Sequence, residues 1–485
     1  METDKELFET AKPRRRWLKR VGCGLLILLF LALAVMIPVA FAWAWQHHLL
    51  QQRLDEALAE LDRTDPGWRL EEIEAGREPI PEEQNSARVV IAASKLLPKR
   101  WPPRDFDHLF GHLVPEEQLA PEDFAQANQE LEKVRPALEE ARKLSKMPRG
   151  RHRILYERNT LETRLNDQGE SRRIAILLVY DSLRHNQNGD GKNALTSCRA
   201  ALNAARSIGD EPVTLSQLIR NAGVIISCQA IERTLAQSEP PPEELISLQR
   251  VWEMEDAHPD LLIVMRGERA MWHALFNAIE DGDVSLNGLE DVRWGWFDYA
   301  LISIWRMDTR EDHVLMLSLM ARAIANAQLP MHEQIEAERQ LDREVQEVRR
   351  LPRPPILTGL LMSTMSKRGE SSRRTHACIR CTIVALAAER YRRECGAWPD
   401  TLEKLCPKYL TAVPLDPFDG EPLRYLRLKD GVIIYSVGQD AVDNGGNLDR
   451  EHPNQPGADI SFRLWDAAKR RQPPRPKLRN DEKPR

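Results

Sequence analysis

The longest uniform stretch of the chain is apolar. From Val21 to Trp45 no residue is charged, and Leu25 to Ile37 is continuously hydrophobic. As a helix these 25 residues rise about 37 Å, enough to cross a hydrocarbon layer of about 30 Å with some tilt. Leu50, Leu54, Leu58 and Leu61 then recur on one helical face, so an amphipathic stalk over residues 46–64 is expected, ended by Asp65-Pro66-Gly67. Residues 66–110 hold Pro79, Pro81, Pro98, Pro102 and Pro103 around one helix, Asn85 to Leu97. A further helix, Pro121 to Lys146, sets Leu131, Val134, Leu138 and Ala141 on one face, which predicts a surface or partner-packed helix.

Residues 171–350 read as helical almost throughout. After Asn188-Gly189-Asp190-Gly191 the positions Ala194, Leu195, Cys198, Ala201, Leu202 and Ala205 form a stripe at i, i+3, i+4 and i+7. Leu215, Leu218, Ile219, Ala222, Ile225 and Ile226 repeat it, and both stripes are expected to face the core. The hairpins resemble tetratricopeptide-type units, yet no three align at a fixed period, so the expectation is an irregular α-helical array. Asn186 to Gly191 has the opening of an EF-hand loop, but Ser197 stands where the bidentate Glu belongs, and a helix-connecting turn fits better. Trp294, Trp296, Phe297, Tyr299 and Trp305 crowd residues 281–311; they read either as anchors of a long connection or as a docking groove.

Toward the C-terminus a helix with Ile383, Ala387, Ala388 and Tyr391 runs into a turn at Gly396 and Pro399. A short helix, a proline-delimited loop and two strands follow, Leu423 to Leu428 and Val432 to Val437. The fold class is therefore mainly α with a small α+β C-terminal domain, a long helix under an antiparallel sheet, behind a single N-terminal transmembrane helix.

The 69 Lys and Arg nearly balance 74 Asp and Glu, a net charge of -5, so no basic field favours nucleic acid and no nucleic-acid partner is expected. Locally the charge is uneven: Lys12, Arg14, Arg15, Arg16, Lys19 and Arg20 precede the apolar run. By the positive-inside rule residues 1–20 form a cytoplasmic basic tail, residues 21–45 the anchor in the lipid bilayer, and residues 46–485 are extracytoplasmic. The competing reading is a signal peptide cleaved at Ala40-Phe41-Ala42; the run exceeds an ordinary signal core. Six cysteines lie beyond the anchor, with Cys395 and Cys406 the preferred pair if the compartment is oxidising. Cys378 and Cys381 form a C-x-x-C inside a helix, where burial explains them better than redox chemistry, and zinc at His376, Cys378, Cys381 and Cys395 would need ligands pointing several ways from one helix.

Tyr391, Gly396, Pro399, Thr401 and Leu405, then Pro414, Asp416, Pro417, Phe418, Gly420, Pro422 and Tyr425, then Ser436, Gly438 and Asp440 follow the order of a family's motifs. On these residues the last 95 or so positions before the tail resemble the globular domain of the major pseudopilin of type II secretion systems. The resemblance implies a pilin-like helix plus sheet, a bacterial inner-membrane setting, and a calcium ion in the loop after the last strand. Asp440 and Asp459 match the family's aspartates, while Asp443 and Asn444 are available to replace a missing one. Ala441 stands where the family has glycine, and Gly457 where it has aspartate. A polar turn without any ion is the alternative. A pseudopilin's long apolar helix directly precedes its globular domain, whereas here the anchor lies more than 300 residues upstream, so a pilus subunit is not expected.

The expected layout is stalk and collar over 46–150, helical array over 151–350, pseudopilin-like module over 351–465, and a disordered basic tail over 466–485. The expected function is that of a membrane-anchored envelope protein, not an enzyme, that binds or scaffolds protein partners in secretion or surface assembly. The alternative is an extracytoplasmic hydrolase with its site in the helical region. No G-x-S-x-G, H-E-x-x-H, Walker or Rossmann motif is present. His258, among Glu255, Asp256 and Asp260, is a weak base candidate that reads as part of an exposed loop.

Overall fold

The computed structural model describes residues 13–103, 113–284, 309–350, 355–362, 365–449, 455 and 457–475. The apolar run and the stalk form one helix, α1 (Pro13–Thr64), which continues through Pro38. From Leu29 to Trp45 its large apolar side chains are 44–73% exposed. Of the four stalk leucines Leu50, Leu54 and Leu61 are buried and Leu58 is half-buried, and the chain leaves the helix through Gly67 at φ +80°. Two compact units are present, residues 1–66 with 292–314, and residues 67–291 with 315–485. Within the first, Arg310 donates from Nε to Gln51 Oε1 (2.6 Å) and lies 2.7 Å from His47 Nε2 through Nη1. The aromatic span Trp294 to Trp305 lies outside the described residues.

The second unit is mostly helical with a small sheet near its C-terminus. Its helices are α2 (Leu70–Gly76), α3 (Ser86–Lys95), α4 (Pro121–Lys133), α5 (Arg135–Arg142), α6 (Gln168–Gln187), α7 (Gly191–Arg206), α8 (Thr214–Gln237), α9 (Pro242–Asp256), α10 (Asp260–Glu280), α12 (Met331–Arg349), α13 (Ile356–Leu361) and α14 (Met365–Cys395), while α11 (Arg310–Ala327) has residues 310–314 in the first unit and the rest in the second. Asn85 caps α3, accepting from Ala87 N at 3.1 Å. The helix expected over 121–146 is broken at Val134 (φ −111°, ψ 18°). Pro136 has no N–H to continue the ladder. Leu131, Val134, Leu138 and Ala141 are nonetheless all buried. Asp190 caps α7 through Asn193 N (3.1 Å), so the Asn186 to Gly191 segment serves as a turn.

The α7 stripe is buried at all six positions. On α8 the expectation inverts: Leu215 and Leu218 are 55% and 39% exposed, while Ser216, Gln217, Arg220, Asn221, Glu232, Arg233 and Gln237 are buried. The reason is a demand for donors. Gln217 Nε2 donates to Gly209 O and Glu211 O, Arg233 to Val114 O and Glu117 O, and Gln237 to Pro115 O. Buried loop carbonyls must be paired, and a central polar face on α8 pairs them. At Gly223 a Cβ would sit 2.7 Å from Ala205 Cβ, so glycine permits the close approach of α7.

The sheet has three antiparallel strands in order β1 (Arg424–Leu428), β2 (Gly431–Ser436), β3 (Ile460–Trp465). Tyr425 opposes Ile434, which opposes Phe462. The third strand was not expected. One hydrophobic core runs from Val90 and Leu131 through Leu202, Leu248 and Leu386 to Ile434 and Leu464, so the C-terminal helix and sheet share their interior with the array. The tail expected to be disordered from residue 466 is built into the fold as far as Arg475. Gln472 N donates to Glu116 O (2.7 Å) and its carbonyl accepts from Gln118 N (2.9 Å). Arg471 donates to Asn186 O, Gln187 O and Gln237 O at the ends of α6 and α8, where the helix dipole favours a cation.

Candidate functional site

The loop between β2 and β3 gathers the four residues implied as calcium ligands. It turns sharply, with Gly438, Ala441, Gly445, Gly446 and Gly457 all at positive φ. Ala441 at φ +54° adopts the conformation for which glycine is suited, at about 1–2 kcal/mol for a residue with a Cβ. Asp440 accepts from Val442 N (3.1 Å) through Oδ1 and from Gly457 N (2.8 Å) through Oδ2. Asp443 Oδ1 accepts from Gly445 N (2.9 Å) and from the Tyr435 hydroxyl (3.0 Å). Asn444 donates to Val442 O (2.9 Å).

Asp459, buried just before β3, accepts from Gly446 N and Asn447 N through Oδ2 (2.7 and 3.1 Å). Its Oδ1 is buried without a hydrogen-bond partner. Burial raises the Asp459 carboxyl above the usual range, against the backbone N–H groups that favour its charge. An oxygen buried in this way is suited to a hard cation, which takes about six to eight oxygen ligands. Among the described residues no three His, Cys, Asp or Glu side chains already converge as a metal site.

Asp416, another matched aspartate, holds the proline loop to the sheet. Its carboxylate accepts from Phe418 N, Val437 N, Ser436 Oγ and Arg424 Nη1 at 2.8–3.1 Å. The six cysteines beyond the anchor are free thiols; the Cys395–Cys406 pairing is not formed, and Cys395 is exposed at the end of α14. Burial raises the Cys198 and Cys378 thiols to about 11, which removes thiolate character at neutral pH.

Two buried polar centres carry chemistry that the spacing of residues did not reveal. In one, His152 Nε2 lies 3.2 Å from Ser207 Oγ and 3.3 Å from Ser171 Oγ. Nearby Glu211, fully buried, accepts from Gln168 Nε2 (3.1 Å). Burial pushes His152 down to about 4 and Glu211 up to about 7. His152, Ser171 and Ser207 are at most 2% exposed, so this serine and histidine pairing lies in a closed interior.

In the other, the Glu255 to Asp260 turn exposes Ala257 and Pro259 but buries Glu255 and Asp260, with Asp256 and His258 half-buried between them. His376 on α14 lies between two carboxylates, Nδ1 2.9 Å from Asp256 Oδ1 and Nε2 3.4 Å from Asp260 Oδ1. Arg380 binds Asp256, and Arg206 and Arg220 bind Glu255. His258 puts its Nε2 into this cluster, buried and without a partner.

No family model, curated protein or solved structure matches this chain.

Proposed function

We propose that the protein is a single-pass envelope protein, held in the inner membrane by residues 21–45, with its N-terminus in the cytoplasm. Residues 46–485 face outward and bind protein partners in secretion or surface assembly as a non-catalytic scaffold. The observation that carries the reading is α1. It contains an 18-residue window of mean hydropathy 1.9, none of it buried, whereas the exposed large apolar residues described beyond residue 49 are scattered singly or in pairs. Exposed apolar surface on this scale calls for an apolar solvent. The pseudopilin-like motifs support the outward orientation, and in this reading calcium binds through Asp459, Asp443, Asn444 and Asp440.

Cys395 supplies the test, because it is the exposed cysteine among those described beyond the anchor. A membrane-impermeant maleimide added to intact spheroplasts should label the full chain, and Cys395→Ser should abolish most of the labelling. Labelling that appears only after lysis would place the large unit in the cytoplasm and defeat the proposal. Envelope crosslinking from the outward region should capture specific protein partners; recovery of the uncrosslinked chain alone would remove the scaffold role.

A further inference from the structure

Five helices of the second unit meet around His258 and His376. The charged groups that face the pair are Arg206 on α7, Arg220 on α8, Glu255 and Asp256 on α9, Asp260 on α10 and Arg380 on α14. With His376 charged, four cations face three carboxylates. Every carboxylate is already engaged. Glu255 receives Arg206 and Arg220 at 3.0 and 2.6 Å, and Asp256 receives His376 and Arg380. Asp260 accepts from Ser372 Oγ (2.7 Å), Leu261 N (2.8 Å) and Asn221 Nδ2 (3.0 Å). A proton on His258 would add a fifth cation, which Asp260 favours and which burial, Arg220, His376 and Arg206 together oppose.

His376 is the converse. Both ring nitrogens face carboxylate oxygens, and only the imidazolium can donate from both. The same helix donates through Arg380 Nη1 to Leu415 O (2.7 Å) in the proline loop and through Cys381 Sγ to Ile460 O (3.6 Å) on β3. The hub therefore holds the sheet-bearing helix to the α9–α10 turn.

We propose that His258 and His376 form a two-sided pH latch, closed with His258 neutral and His376 charged, which releases the α9–α10 turn from α14 when the first gains a proton or the second loses one. Burial, and then the charge of Arg220, hold His258 well below the ordinary histidine range. For His376 burial alone would act downward, but its bonds to Asp256 and Asp260 raise it to about 9.

In the open form both rings return to about 6.5. Linkage then gives opposite limbs. Below about pH 6.5 the open form binds the extra proton on His258 and gains population; between about 6.5 and 9 the closed form holds the extra proton on His376, and opening rises as that proton is lost. Opening is least near pH 6.5 and grows roughly tenfold by pH 5 and roughly twentyfold by pH 8.5.

The test is hydrogen exchange of the full chain in nanodiscs at pH 5, 6.5 and 8.5, corrected for intrinsic rates, reading peptides over 252–262 and 370–382, with β2 as the internal reference. The V-shaped profile is expected in the wild type, and His258→Asn should lose the acid limb while keeping the alkaline one. A flat or one-directional wild-type profile overturns the latch whether or not the variant folds. So does an acid limb that persists in His258→Asn.

Discussion

Glu389 on α14 is fully buried and binds three arginines. Its Oε1 receives Arg392 Nη2 (2.8 Å), Arg393 Nε (3.0 Å) and Arg470 Nη1 (3.2 Å), and its Oε2 receives Arg470 Nη2 (2.8 Å) and Arg392 Nε (3.1 Å). Arg470 belongs to the C-terminal strap and is itself only 7% exposed. Burial works against the charge of Glu389, but Arg392 and Arg470 outweigh it and hold the carboxyl below its usual range.

In Glu389→Gln the strap arginine stays buried opposite a neutral amide. Removing one partner of a buried ion pair costs about 3–5 kcal/mol, and because Arg392 and, at 3.7 Å, Arg470 both retain Glu239 the lower end, about 3 kcal/mol, is the expectation. The loss concentrates where Arg470 enters, so the strap should detach before the core does. Limited trypsin digestion of the full chain in detergent at pH 7.5 and low protease reads this directly, with cleavage after Arg470 and Arg471 rising about a hundredfold, the factor that about 3 kcal/mol implies when the strap opens and recloses faster than it is cut. The wild-type contribution is present above about pH 4.5 and lost as pH falls through the lowered value. Cleavage of Glu389→Gln within threefold of wild type would refute the reasoning.

Three further outcomes follow from the same structure. Calcium at 1 mM should stabilise the full chain by about 1.4 kcal/mol over chelator if the loop has a dissociation constant of about 0.1 mM; a melt that does not shift, or that shifts equally in Asp459→Asn, removes calcium from the account. Glu211, held up near 7 by burial, contributes stability that is present below about pH 4.5 and lost as pH rises to about 7. Glu211→Gln should therefore exceed wild type by about 2–3 kcal/mol at pH 8 and match it at pH 4.5 in urea titrations. A chain ended after Arg475 should melt like the full one, whereas a chain ended after Asp466 loses the Arg470, Arg471 and Gln472 contacts and should melt several degrees lower; equal melting of the two would show the strap to be idle.

Where the apolar residues of an element alone decide which face turns inward, its periodicity was legible. α7 buries all six positions of its stripe, and the exposed apolar residues of α1 stand within the charge-free run. α8 shows where this fails: most of it is enclosed, its polar residues serve carbonyls far away in sequence, and Leu215 and Leu218 near its start are left exposed. Ile460-Ser461-Phe462-Arg463-Leu464 alternates as a half-buried strand does, a signal that the neighbouring Asp and Gly positions obscured. The strap was hidden by its composition, since Arg and Pro suggest disorder until Glu389 and the ends of α6 and α8 supply partners. The candidate loop was legible only through resemblance, and the two histidine centres join residues far apart in the chain, His152 with Ser207 across 55 positions and His376 with Asp256 across 120, which no local spacing records.

Alkaline carbonate extraction of the native membranes tests the central claim most directly. The full-length chain should remain in the pellet, and Leu33→Arg combined with Val35→Arg, each costing about 3 kcal/mol at a bilayer centre, should move it to the soluble fraction. A wild-type chain recovered in the supernatant, or one beginning near residue 43 after cleavage, would contradict the anchor.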